Sequence, residues 1–290
     1  MIKKSSFHPM VLLVYFVGVF IFVMFSQSLF VTFAAFICGN FVLLLSIKFR
    51  EYLKSFAGYF ILIVVMAGIN PLFSHRGVTQ LFFVNDIPFA LESIVYGVYL
   101  GTSVANCIIW LRLLSLSISR GNVMYLFGKF APQTALTVSM SMGFLPKIKK
   151  KFSSLNFAQR GNGVFVCESK SDKIKFSSAI FTALFGWSIE SSVSTSMSMK
   201  ARGYGISKRT CAIKNAFRKK DFTALVIVIF ALIFCFALLG LSYFSTEFYP
   251  QIYNENSSIY LKAFVILFLS MPFILKLKEY VKWKFYLSKI

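Results

Sequence analysis

Two short sequences in the middle of the chain, Ala158-Gln159-Arg160-Gly161 and Ala201-Arg202-Gly203-Tyr204-Gly205, place an arginine before a glycine twice, 42 residues apart. Each closes a helix-like run. Glycine reaches the left-handed conformation that stops a helix, so each arginine is expected at a helix tip. A guanidinium fork held there pairs bidentately with carboxylates or backbone carbonyls, which is the chemistry of docking into a groove on a soluble partner. A lone Arg-Gly says less, because arginine near a helix C-terminus also complements the helix dipole. The duplication is what points to docking.

Catalytic chemistry lacks its parts. The only histidines are His8 and His75, both at expected membrane edges, which argues against a histidine-based metal site or triad. Cys38, Cys107, Cys167, Cys211 and Cys235 are scattered without paired spacing, so they read as inert buried thiols and not as a disulfide framework or zinc site. No Gly-rich Walker sequence is present, so the chain is not expected to hydrolyse a nucleoside triphosphate itself, and no cofactor is expected. Carboxylates inside a membrane mark ion or proton paths. The candidates are Glu92, read as interfacial, and Glu190, read as paired with a basic neighbour.

The runs that must position the two arginines are the apolar stretches 131–146 and 176–199. Ten Ser or Thr in the 23 residues of 177–199 make the second a poor lipid-facing helix but a good one for close packing. Small residues recur at helical spacing as Ala135, Ser139 and Gly143, followed by Pro146, and again as Ser188, Ser192 and Ser196. Such ladders let helices approach and cross, and they also occur in ordinary bundle packing. If both stretches crossed the membrane, residues 147–175 with eight basic side chains would lie outside; if only the second did, residues 200–220 with another eight would. Either outcome opposes the rule that Lys and Arg stay inside.

Around this module the chain is a membrane protein: 57% of its 290 residues are hydrophobic and 14% charged, and the apolar residues form unbroken blocks. A helix needs about 20 such residues to cross the hydrocarbon core. Residues 10–25, 29–47, 56–73, 222–244 and 259–275 qualify, and 87–111 is a sixth, polar enough to pack against protein. The first block lacks a small-residue cleavage site and is read as a retained span rather than a signal peptide. With the N-terminus inside, 29 of the 31 Lys and Arg fall in the cytoplasm, Arg76 and Lys262 excepted. The net charge of +21 is therefore explained by topology and not by a nucleic-acid partner. The expected architecture is an all-α polytopic membrane protein with both termini cytoplasmic: spans one to four in 1–111, a cytoplasmic module of crossed helices in 112–221, and two further spans with a basic tail in 222–290.

These residues together resemble the T component of energy-coupling factor transporters, the family that includes the transmembrane subunit of cobalt uptake systems. The matching features are Phe7-His8-Pro9, Asn70-Pro71-Leu72-Phe73, Phe144-Leu145-Pro146 and the two arginine motifs, over about residues 7–244. The resemblance implies a non-catalytic subunit whose crossed coupling helices end in arginines seated in grooves on two ABC-type ATPases, Arg160 on one and Arg202 on the other. It also implies contact with a separate membrane S component that carries a vitamin or metal ion. The chain departs from the pattern in having Gln159 where an alanine is usual, and in the added span and tail 259–290. Two other readings stand beside it. One is a permease with its own substrate path, which needs more convergent polar residues in the spans than are seen. The other is a membrane scaffold whose basic surface holds anionic lipid.

Overall fold

The computed structural model describes residues 8–74, 77–84, 87–161, 170–206, 217–241, 243–244, 246–249, 253–254 and 258–287. In chain order they form α1 (Pro9–Phe25), α2 (Leu29–Leu44), α3 (Phe49–Phe73), β1 (Gln80–Val84), β2 (Ile87–Ala90), α4 (Leu91–Ser117), α5 (Arg120–Phe130), α6 (Pro132–Gly161), α7 (Lys170–Ala201), α8 (Lys219–Gly240), β3 (Thr246–Glu247), β4 (Tyr253–Asn254) and α9 (Ile259–Leu287). The fold is helical apart from two short antiparallel hairpins. It divides into two compact units. The first is Met1–Ser119 with Asn215–Ile290, and the second is Arg120–Lys214.

In the first unit α4 is the central helix, packed against α1, α2 and α3, while α8 packs on α1 and α9 on α2. Its interior is apolar, with Val19, Phe22, Val31, Leu43, Ile109 and Leu113 sealed from solvent. Burying side chains of this size supplies about 1.5–3 kcal/mol each in water; between helices in lipid, close fit and hydrogen bonds decide instead. Both are present. Tyr99 Oη donates to Ser26 O (2.8 Å), Asn106 Nδ2 to Thr32 O (2.9 Å) and Tyr15 Oη to Phe268 O (2.9 Å), each joining two helices through a backbone carbonyl.

α3 and α4 approach each other backbone to backbone. Gly97 and Gly101 are one helical turn apart, and a Cβ on Gly97 would lie 2.8 Å from Met66 O and 2.9 Å from Ala67 Cα, while one on Gly101 would lie 2.9 Å from Ile63 Cα. This is the small-residue pattern that lets membrane helices touch backbone to backbone. We expect Gly97→Leu to separate α3 from α4 and lower stability by about 1–3 kcal/mol. Thermal unfolding in detergent measures it, and an unchanged midpoint would mean that α3 is free to move away.

Among the described residues three helices, α3, α4 and α8, are long and apolar enough to cross a membrane. The apolar parts of α1, α2 and α9 are shorter, at 17 residues or fewer; 16 or 17 residues reach only about 24–26 Å of the roughly 30 Å hydrocarbon core. α2 stops at Leu44 instead of continuing to 47, because the chain turns there, with Ser46 N and Ile47 N both bonded to Leu43 O. α4 starts at Leu91 and not at 87. Residues 87–90 are instead the second strand of a hairpin, in register Val84↔Ile87 and Phe83↔Pro88. Proline is tolerated in such an edge strand.

α3 runs through Pro71 to Phe73, and Asn70 Nδ2 reaches across and donates to Ser93 O on α4 (2.6 Å). Glu92 is buried in the first turn of α4, accepting from Thr79 N (3.1 Å) while Leu91 N donates to Thr79 O (3.0 Å). A carboxylate there suits the helix dipole and fastens the hairpin to the start of α4.

At the start of α8, Asp221 is buried and holds two segments together. Its Oδ1 accepts from His8 N and its Oδ2 from Arg218 N, both at 3.1 Å. His8 caps α1, its Nδ1 accepting from Met10 N (3.2 Å), and its ring meets Phe217 edge-on at 4.8 Å. Phe7, the first residue of the Phe-His-Pro motif, lies outside the described residues, as do His75, Arg76, Cys167 and Cys211. The described cysteines, Cys38, Cys107 and Cys235, are free thiols, half-buried or buried.

Candidate partner-docking site

The second unit is built on α6 and α7, which contain the apolar stretches 131–146 and 176–199 almost entirely. Half-buried side chains recur on α6 at Phe144, Ile148, Lys151, Leu155 and Gln159, and on α7 the buried Phe176 and Ile180 share a face with Ala183 and Trp187. This spacing marks one packing face per helix. The faces meet where the Phe144 ring stacks on Trp187 (5.4 Å between centroids, 8° between planes), with Lys151 Nζ 5.8 Å from the Trp187 ring. Phe144 and Lys151 are two turns apart, so both lie against one indole. That cation–π contact holds a lysine beside an apolar contact without an acid partner.

The meeting point falls near the middle of both helices. From Phe144 to the end of α6, and from the start of α7 to Trp187, is about 25 Å each along the axis. The eight residues 162–169 that join them reach at most about 30 Å, well short of the ~50 Å that would separate arms pointing opposite ways. Both arms therefore leave the contact on the same side. It follows that Arg160 and Arg202 lie towards opposite ends of the pair, each about 22–24 Å from the contact along its own helix.

The two arginine tips are both exposed but are built differently. At the end of α7, Gly203 N donates to Lys200 O (2.9 Å) and Tyr204 N to Met199 O (3.0 Å), with Gly203 at φ +76°. These two bonds are the paired closure of a Schellman motif, in which only a residue without a Cβ takes the left-handed position cheaply. Arg202 is thus the last residue before the stop, projecting beside exposed Ala201. At the other tip Ala158, Arg160 and Gly161 are exposed and Gln159 is half-buried, its Oε1 buried without a hydrogen-bond partner. Gly161 departs from expectation, since it is still helical and is not in the left-handed region. Among the described residues, the left-handed stop is therefore present at the α7 tip only.

The small-residue ladders stay largely open. Ala135 is half-buried, near the position that a Cβ on Gly128 of α5 would take, 3.8 Å away, and Ser188 is half-buried. Ser139, Gly143, Pro146, Ser192 and Ser196 are exposed, and a Cβ on Gly143 would meet nothing within 4 Å. Ser192 Oγ donates to Ser188 O (2.7 Å) and Ser188 Oγ to Phe185 O (2.8 Å), so these hydroxyls are satisfied by their own helix. The contact between α6 and α7 is aromatic, through Phe144 and Trp187, and not through serine and glycine. Sequence reasoning passed over Trp187, although a single tryptophan in a serine-rich helix is a signal for an anchor. Glu190 is exposed on α7.

No protein-family model matches the chain, and no curated protein matches it. What the described residues define is a predominantly helical protein with three helices long and apolar enough to cross a membrane, and a separate helical unit between the second and third of them in the chain.

Proposed function

We propose that the chain is the transmembrane coupling (T) subunit of an energy-coupling factor type uptake transporter, carrying the motion of two ABC-type ATPases to a membrane S component that binds a vitamin or metal ion. The observation that carries this reading is the pair of long helices α6 and α7, joined near their middles by Phe144 and Trp187, with an exposed arginine near the C-terminal end of each. A lever fastened at its centre transmits displacement from one end to the other, and guanidinium forks suit grooves lined by carboxylates and carbonyls. The exposed ladder of Ser192 and Ser196 on α7, with Ser139 and Gly143 on α6, offers a surface on which helices of the S component can pack closely. Six spans, with the second unit and both termini in the cytoplasm, complete the reading and follow the distribution of basic residues.

Co-purification is the test. The chain should bring down two ATPases and one small hydrophobic protein, identified by mass spectrometry; recovery of the chain alone under conditions that keep it folded would sink the proposal. Orientation is checked separately. Cysteine introduced as Ser153→Cys should be protected from a membrane-impermeant thiol reagent in intact cells and Asn254→Cys labelled, whereas labelling at 153 would place the second unit outside.

A further inference from the structure

The face of α7 turned away from α6 is exposed and, among the described residues, uncovered. At about 100° per residue, Ile174, Phe181 and Phe185 fall within about 40° of one another, opposite the packing face of Phe176, Ile180 and Trp187. They are exposed by 70%, 70% and 60%, and the two phenylalanine rings stack at 6.3 Å. Beyond residue 188 the same line of the helix changes character and is occupied by Ser188, Ser192 and Ser196. The aromatic half is bordered by three lysines, whereas the serine half has Lys200 alone near its end. Lys170 stands near one end of the stripe, and Lys173 and Lys175 flank it on either side, about 100° away; all three are exposed.

An apolar stripe edged on both sides by lysine is the arrangement of a helix lying in a membrane surface, with rings below the headgroups and ammonium groups reaching the phosphates. Chain connectivity puts that surface within reach. The second unit begins three residues after Ser117, the last residue of α4, and ends five residues before Lys219, the first of α8; both helices are among the three able to cross a membrane. We infer that the N-terminal half of α7 is a bilayer-surface element that recognises anionic phospholipid headgroups, through Lys170, Lys173 and Lys175 around the Ile174, Phe181 and Phe185 stripe. This contact is independent of the ATPase-docking tips and of the coupling reading. It assigns the aromatic half of the α7 line to lipid and leaves the serine half for a protein.

The test uses the full chain reconstituted in vesicles, with its own cysteines replaced by serine and a spin label placed by Ser178→Cys, a position on the stripe. Accessibility to oxygen, which enriches in lipid, is compared with accessibility to a water-soluble nickel chelate. In phosphatidylcholine vesicles with 30 mol% phosphatidylglycerol the label should be oxygen-accessible. It should turn to water in pure phosphatidylcholine, and in the K170Q/K173Q/K175Q variant. Each lysine at an anionic surface strengthens partitioning about fivefold, so the triple variant should weaken it on the order of 100-fold. Raising the salt concentration on the unaltered lysines gives the same reading should the variant fail to fold. A label facing water in the anionic vesicles would overturn the inference. So would a label facing lipid whatever the headgroup charge, or one shielded from both reagents, the last showing that a protein covers the face.

Discussion

Replacing Arg160 and Arg202 together with alanine is expected to release the ATPases that the coupling reading assigns to this chain and to abolish uptake. Both side chains are exposed, so neither is needed for the fold of the unit that carries it. In a partner's groove each guanidinium would be desolvated, and its removal would leave carboxylate or carbonyl acceptors unpaired at a cost of about 2–5 kcal/mol. Because both contacts sit on one subunit, they act multivalently: one replacement leaves the other to hold the assembly, and two do not. Uptake should nevertheless fall in each single variant, since coupling needs both ends of the helix pair to move. Lysine should not restore Arg202, because a point charge lacks the planar bidentate fork. Arg202 carries the sharper expectation of the two, as its tip is set by the Schellman closure at Gly203. Retention of ATPases and uptake by the double variant, at normal membrane levels, would end the docking proposal.

The second large effect is expected at Asp221, and it concerns folding rather than partners. Asp221→Ala removes the acceptor for two backbone donors, the buried His8 N and the part-buried Arg218 N. Hydrogen bonds to a charged acceptor are worth more than neutral ones, and stranded donors carry a desolvation cost; a loss of about 2–4 kcal/mol is expected. Asp221→Asn keeps one acceptor oxygen and should lose about half as much. Thermal unfolding of the purified chain in detergent reads both. Equal midpoints for all three forms would show that the starts of α1 and α8 are held by their apolar packing, such as the seating of Gly18 against Leu232, and not by the carboxylate.

Much of the helical layout was legible because it depends on local chemistry. Long apolar blocks can satisfy their backbone in lipid only as helices, and the glycine after Arg202 could be read as a stop because the left-handed position is a property of a single residue. The Gly97-x-x-x-Gly101 pattern in α4 was also there to be read, and was overlooked amid the polar residues that mark the same helix.

The contacts that fasten the elements were not legible. Asp221 and His8 are 213 residues apart, and nothing in either neighbourhood announces the other. Asn70 looks like a helix terminator beside Pro71 until α4 supplies Ser93 O as its acceptor. The serine and glycine ladders show the limit most clearly. Periodicity established that Ser139, Gly143, Ser192 and Ser196 could allow a close approach, but the tertiary structure leaves them exposed and joins α6 to α7 through Phe144 and Trp187. Helix formation, end signals and the apolar faces follow from residues within a turn or two of one another, so the sequence by itself determined them. Which face meets which partner depends on the shapes of two surfaces brought together from distant parts of the chain, and only the folded structure decides that.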